Sequence, residues 1–254
     1  MATKDGFIGV FDSGVGGLSV LRQLRRLMPR ERFLYFGDCA NAPYGSKTTQ
    51  QVRDLTMDAA DMLVKRGCKA LVIACNTATA AAIHLLRQRY PDLIVVGIEP
   101  AVKMASDSGV SRIGVMATSV TLREEKLAQL MERFPQLQLQ PIEAPQLVSM
   151  IEAGASQQAL QDYLTPILTP WAGKLEAVVL GCTHYPFAVP AISALLGPDI
   201  QLLDGSAGTA RQTKRLLEQA DLLWDGPGQL QIESSGPSLQ DRAMVLLQEE
   251  EHAI

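Results

Sequence analysis

Residues 69–79 read Lys69-Ala70-Leu71-Val72-Ile73-Ala74-Cys75-Asn76-Thr77-Ala78-Thr79, and residues 176–186 read Glu176-Ala177-Val178-Val179-Leu180-Gly181-Cys182-Thr183-His184-Tyr185-Pro186. Each stretch is a short apolar, β-branched run that stops at a small residue and a cysteine. Each then opens into hydroxyl, amide or imidazole side chains. An apolar run of this length, bounded by turn residues, predicts a buried strand. The cysteine then stands at the carboxyl end of that strand, where open α/β sheets bind their ligands. Two cysteines at matching places in two halves of one chain suggest two thiols serving one site.

Outward from Cys75, strands and helices alternate. Upstream, Phe7–Phe11 reads as a strand ending in Asp12-Ser13-Gly14-Val15-Gly16-Gly17, and a helix with Leu18, Leu21, Leu24 and Met28 on its apolar stripe runs to Pro29. A strand at Arg32–Phe36, a polar loop through Gly45 and a helix from Thr48 to Arg66 follow, with Gly67 placed to cap it. Downstream of Cys75 come a helix through Arg89 and a strand at Leu93–Ile98. This alternation predicts a mostly parallel, doubly wound sheet.

The pattern then restarts. Gly114, in Arg112–Thr118, lies 105 residues past Gly9, and Cys182 lies 107 past Cys75. Leu137–Ile142 corresponds to Arg32–Phe36. Two ordinary βαβ units would resemble each other in any case, but the alignment of the cysteines favours a duplicated unit of about a hundred residues. The expected fold is therefore α/β: two similar doubly wound domains with mostly parallel sheets, related by a pseudo-two-fold with the site between them. A helix at Ala207–Gln219 and a strand at Gln229–Glu233 are expected to return to the first unit. That gives a discontinuous first domain, 1–97 plus 207–254, and a second domain, 98–206. The acidic run at Gln248–Glu251 reads as a solvated helix end.

The totals exclude several classes. Of 254 residues 47% are hydrophobic, enough for a substantial core, and the net charge of −4 gives no basic field for nucleic acid or an anionic membrane. No apolar run is long enough for a membrane helix, and the N-terminus lacks a signal-peptide layout. A cytoplasmic protein is expected. The four cysteines show no CxxC, and the three histidines lack zinc spacing, so neither a disulfide framework nor a metal site is expected.

Among single motifs, Asp12–Gly17 lacks both the Gly-Lys-Ser/Thr of a phosphate loop and the third glycine of the dinucleotide fingerprint, since residue 19 is Ser. Glycines at a helix start present N–H groups to a carboxylate or phosphate, although a tight turn alone would also explain them. Cys75 and Cys182 each stand before an expected helix start, which stabilises the thiolate form. Two thiols facing one carbon suit removal of a proton from one side and delivery to the other. Asp12 and His184 lie close enough in sequence or topology to act as acid–base partners. His84, His252, Cys39 and Cys68 read as packing or surface residues, and Glu152 and Pro43-Tyr44-Gly45 carry no site by composition.

Taken together, Asp12–Val20, Pro43–Gly45, Ala74–Ala78 and Gly181–Pro186 resemble the bacterial glutamate racemase family, at about the family's usual length. The resemblance implies interconversion of L- and D-glutamate without a cofactor, supplying D-glutamate for peptidoglycan. It implies Cys75 as the base for one enantiomer and Cys182 for the other, with Asp12 assisting Cys75 and with Glu152 and His184 assisting Cys182. Ser13, Asn76, Thr77, Thr118 and Thr183 would hold the substrate's carboxylates and ammonium, with Asp12 and His184 touching it and Tyr44 and Gly45 lining the pocket. Asp38 is a weaker candidate for the same network. Family members are commonly homodimers. Some need a cell-wall precursor as activator and carry an N-terminal extension; this chain reaches its first strand within a few residues, so independence of that activator is expected. Rival readings are a racemase of the same superfamily for aspartate or another acidic amino acid, a thiol redox or peroxide-sensing protein and a non-catalytic amino-acid-binding module.

Overall fold

The strands expected from the apolar runs pair into two wholly parallel sheets. The computed structural model describes residues 3–98, 101–117, 132–236 and 246–247. The chain divides into two units, Met1–Glu99 with Ser206–Ile254, and Pro100–Gly205. Thr118 and the acidic run lie outside the described residues.

In the first unit, β1 (Phe7–Asp12), β2 (Arg32–Gly37), β3 (Cys68–Ile73), β4 (Ile94–Gly97) and β9 (Gln229–Ser234) form a sheet of order β4-β3-β1-β2-β9. All six residues of β3 are buried, as a strand covered on both faces requires. Between the strands run α1 (Leu18–Leu27), α2 (Thr49–Lys65) and α3 (Asn76–Arg89), and α8 (Ser206–Gln219) packs on α1 and β4. Helix α1 buries Leu18, Val20, Leu21 and Leu24 and carries Arg25 and Arg26 in its last turn, where they favour the dipole. Helix α2 opens with a capping box between Thr48 and Gln51 and is followed by Gly67 at φ 77°. Strand β9 pairs with β2 from Arg32↔Gln229 to Gly37↔Ser234.

In the second unit, β5 (Arg112–Ala117), β6 (Gln138–Glu143), β7 (Ala177–Leu180) and β8 (Gln201–Leu203) form a sheet of order β6-β5-β7-β8. Its described helices are α4 (Val102–Asp107), α5 (Leu147–Glu152), α6 (Gln157–Leu168) and α7 (Val189–Leu196).

The two sheets repeat one another strand for strand, with β2-β1-β3-β4 answering to β6-β5-β7-β8. The registers agree too: Gly9 faces Leu71 in the first unit, and Gly114 faces Val178 in the second. A Cβ on Gly9 would lie 2.9 Å from Cys68 Sγ and 3.1 Å from Leu71; one on Gly114 would lie 2.9 Å from Leu175 and 3.3 Å from Val178. These neighbours are themselves 107 residues apart in each case. The same space has thus been closed over a glycine twice, which two unrelated βαβ units would not be expected to do.

The strand entrances carry ionic locks of different construction. At the mouth of β3, Lys69 is fully buried and its Nζ lies 2.8 and 3.1 Å from the carboxylate oxygens of Glu31. Glu31 also accepts from the backbone N–H groups of Trp224 and Arg32. At the equivalent position before β7, Glu176 accepts from the N–H groups of Ser111 and Arg112, each at 2.8 Å. Both locks stand at the amino ends of the strands, opposite the cysteines.

Candidate active site

At the carboxyl ends of β1 and β3, the chain turns sharply twice. Ala74 N–H donates to Phe11 O at 2.8 Å, setting Cys75 beside the tip of β1. Cys75 is the N-cap of α3, and its Sγ accepts from Ala78 N–H at 3.4 Å. The sulfur therefore meets the positive end of a helix, which favours the thiolate. The thiol lies 3.7 Å from Ser13 Oγ and is 5% exposed. Asp12 is fully buried, and its Oδ2 accepts from Gly14 N–H. Gly17 stands directly behind it: a Cβ there would lie 2.6 Å from Asp12 Cβ. Tyr35 anchors the same loop by donating to Gly14 O at 2.6 Å.

The helix-start N–H groups expected to be bare are partly spent within the turn, since Leu18 and Ser19 donate to Val15 O and Gly16 O. An acceptor is left over instead. Asn76 Oδ1, in the first turn of α3 and next to Cys75, is buried with no hydrogen-bond partner among the described residues. Such an atom costs about 1–3 kcal/mol unless a donor meets it. Thr77 follows on the same turn, half-buried.

Beside this site, Tyr44 is buried against Phe11, with ring centroids 6.2 Å apart, and shares a core cluster with Cys75. Its hydroxyl donates to Asp38 Oδ2 at 2.7 Å. Burial, followed by the Asp38 hydrogen bond and charge, pushes the Tyr44 phenol far up, so it stays protonated. Gly45 lies next to it in a short 3-10 turn, Tyr44–Ser46. Cys68, by contrast, is held by burial as an inert thiol, its pKa pushed up to about 12.

In the second unit, Cys182 follows β7 as Cys75 follows β3. Its Sγ lies 3.7 Å from His184 Nδ1, and His184 Nε2 lies 2.6 Å from Glu152 Oε1. His184 is buried, while the Glu152 side chain, at the end of α5, keeps 26% exposure. Thr183 is buried between the cysteine and the histidine in sequence. The expectation of a helix start directly after Cys182 is corrected here. Cys182 stands in a bend, a 3-10 turn covers Tyr185–Ala188, and α7 begins only at Val189. Pro186 and Pro190 each fall in the first turn of their segment, where a missing N–H costs least, in keeping with a helix that starts at Val189 and not directly after Cys182. Cys182 thus has an imidazole–carboxylate pair where Cys75 has a helix terminus.

In the first unit, Asn41 and Ser235 hold Asp38 and Tyr35 holds the Gly14 loop, and sequence alone does not mark them. Tyr35 sat in an apolar strand, and Ser235 lies 197 residues from the Asp38 that it meets. Among the described residues, no group of three or more His, Cys, Asp or Glu side chains is gathered to hold a metal ion.

A thiol follows the same strand in each of two repeated α/β units, one at a helix terminus beside Ser13 and the other beside a histidine–carboxylate pair, an arrangement suited to an enzyme of the racemase class. The chain belongs to the Asp/Glu/Hydantoin racemase family, whose profile matches residues 8–213. A glutamate racemase of Ectopseudomonas mendocina is 46% identical over 250 residues, covering 94% of this chain and 92% of its own. The crystal structure of glutamate racemase from Thermus thermophilus, in complex with β-chloro-D-alanine, is similar with a TM-score of 0.82 at 38% identity, covering 96% of this chain and 94% of that one. That of Francisella tularensis, in complex with D-glutamate, is similar with a TM-score of 0.84 at 29% identity and the same coverage.

Proposed function

We propose that this chain interconverts L- and D-glutamate with two thiol bases and no cofactor, Cys75 acting on one face of the α-carbon and Cys182 on the other. The observation that carries the reading is the repeated placement of a cysteine after β3 and after β7, the first at a helix terminus and the second beside the His184–Glu152 pair. In one direction a thiolate takes the α-proton, and the opposite thiol gives a proton to the other face of the carbanion-like centre. The two sulfurs finish with their protonation states exchanged, and the reverse reaction runs the same steps backwards.

The helix terminus and Asp12 serve Cys75. Glu152 holds one nitrogen of His184, leaving Nδ1 to take the Cys182 proton when the ring is neutral, or to face the thiolate when it is charged. Asn76 Oδ1 is an acceptor suited to the substrate's ammonium. Ser13, Thr77, Thr118 and Thr183 supply hydroxyls for its carboxylates, and Tyr44 and Gly45 wall the pocket. Donors aimed at the α-carboxylate, acting away from water, would stabilise the carbanion-like state. No helix among the described residues is long and apolar enough to cross a membrane. The same reading has the chain working in the cytoplasm as a homodimer, with D-glutamate passing to peptidoglycan assembly; light scattering tests the dimer.

Incubation with L-glutamate in deuterium oxide tests the reaction. Circular dichroism should decay to zero as one solvent deuteron enters at Cα, with aspartate turned over far more slowly. A lasting signal with no exchange would overturn the proposal, and faster decay with aspartate would reassign the substrate.

A further inference from the structure

Asp38 is a buried carboxylate at the end of β2 that no cation among the described residues neutralises. It is held by hydroxyl and amide donors. Tyr44 donates to Oδ2 at 2.7 Å, Asn41 Nδ2 lies 3.0 and 3.1 Å from the two oxygens, and Ser235 Oγ donates to Oδ1 at 2.6 Å. The first two come from the loop that Asp38 itself begins. Ser235 comes from just past β9, the strand that the chain adds to the first sheet after completing the second unit.

The Ser235 hydroxyl is doubly engaged, because it also accepts from Ala40 N–H at 3.0 Å. Its backbone is fixed in turn: Ser235 N–H donates to Gly37 O at 3.2 Å. Next to it the chain passes so close over the loop that a Cβ on Gly236 would lie 3.3 Å from Ala40 N and 3.4 Å from Cys39 Cβ. Asp38 N–H donates to Asp12 O at 2.9 Å, so this loop hangs directly from the tip of β1. The Tyr44 hydroxyl is committed to Asp38, and its ring lies against Phe11 in the core cluster that includes Cys75. With its hydroxyl hydrogen given to Asp38, Tyr44 bears on the Cys75 site through where its ring stands, which the Asp38 hydrogen bond and the packing on Phe11 fix together.

We propose that Ser235 is a positioning residue of the Cys75 site, holding the Asp38 carboxylate and through it the ring of Tyr44. This rests on the racemase reading above and extends it to a residue outside the family's matched span, which ends at residue 213. A hydroxyl on a carboxylate is among the stronger hydrogen bonds. Its removal loosens a wall that binds substrate and transition state alike, which raises KM and leaves kcat nearly unchanged.

The test is a double-mutant cycle of Ser235→Ala and Tyr44→Phe, with glutamate turned over in both directions. Ser235→Ala should raise KM roughly three- to tenfold with kcat within twofold. Ser235→Thr, which keeps the hydroxyl, should restore the wild-type KM. In the Tyr44→Phe background, where the link to Asp38 is already cut, Ser235→Ala should add less than about twofold. Full additivity, an unchanged KM, or a loss that threonine does not rescue would overturn the inference while leaving the wild-type reaction in place. A wild-type chain inactive on both glutamate enantiomers would instead remove the racemase reading, and this inference with it.

Discussion

Replacing Cys75 by serine separates the two tasks that its sulfur holds. As N-cap of α3 the sulfur accepts from Ala78 N–H at 3.4 Å, a weak bond that a serine oxygen forms more readily. The new hydroxyl keeps Ser13 Oγ as a neighbour. The fold should therefore change by no more than about 1 kcal/mol, a shift of about 4 °C or less in thermal midpoint for a chain of this size. Catalysis should fall far more, because a hydroxyl is much less acidic than a thiol, and a positioned acid–base group contributes about 10²- to 10⁴-fold. Enantiomers have an equilibrium constant of one, so kcat/KM must fall equally in the two directions. Circular dichroism of the substrate, run beside a thermal melt of the enzyme, reads both quantities. Activity within tenfold of wild type would refute the assignment of Cys75 as a base. A midpoint lowered by 10 °C or more would refute the account of the cap.

Glu152→Gln should lower kcat/KM about a hundredfold with the fold intact, since the side chain is part exposed at a helix end. The Cα-deuterium isotope effect should rise only for the enantiomer that Cys182 deprotonates; equal rises for both would contradict the pairing. Lys69→Met strands the buried Glu31 carboxylate, which should cost about 3–5 kcal/mol and lower the melting midpoint by on the order of 10 °C, read by calorimetry. Glu176 has its pKa lowered from 4.5 to about 2, first by the Arg112 N–H and then by the Ser111 N–H and hydroxyl. The native state therefore gains from its charge above pH 4.5 and loses that gain as pH falls toward 2. In urea titrations, wild type and Glu176→Gln should differ at pH 7 and converge near pH 2; a gap that persists in acid would exclude this origin. Gly17→Ala must push on Asp12, so turnover should fall while a melt shows a loss of only about 1–3 kcal/mol.

The order of elements was legible because short apolar runs and punctuating glycines report directly on local backbone. The repeat was legible for a related reason. Gly9 and Gly114 are demanded by the same crowding, and the cysteines end equivalent strands. The setting of Cys182 was only partly legible: Pro186 and Pro190 are visible in the sequence, but the Glu152 that meets His184 lies 32 residues away and is brought there by the packing of the second unit. The partners of Asp38 and Lys69 were not legible. Glu31 and Lys69 are brought together only when β2 and β3 take places on either side of β1, and Ser235 reaches Asp38 only through the pairing of β9 with β2. Such contacts follow from topology and leave no mark on neighbouring residues.

That pairing also constrains the order of events at the ribosome. All of Pro100–Gly205 is contiguous, so the second unit holds every strand of its sheet as soon as that stretch has emerged. The first unit, begun earlier, waits with the flank of β2 uncovered until residues 229–234 are translated. A nascent chain would thus complete its second unit before its first, and during that interval the flank of β2 presents the unpaired N–H and C=O groups of an open sheet edge.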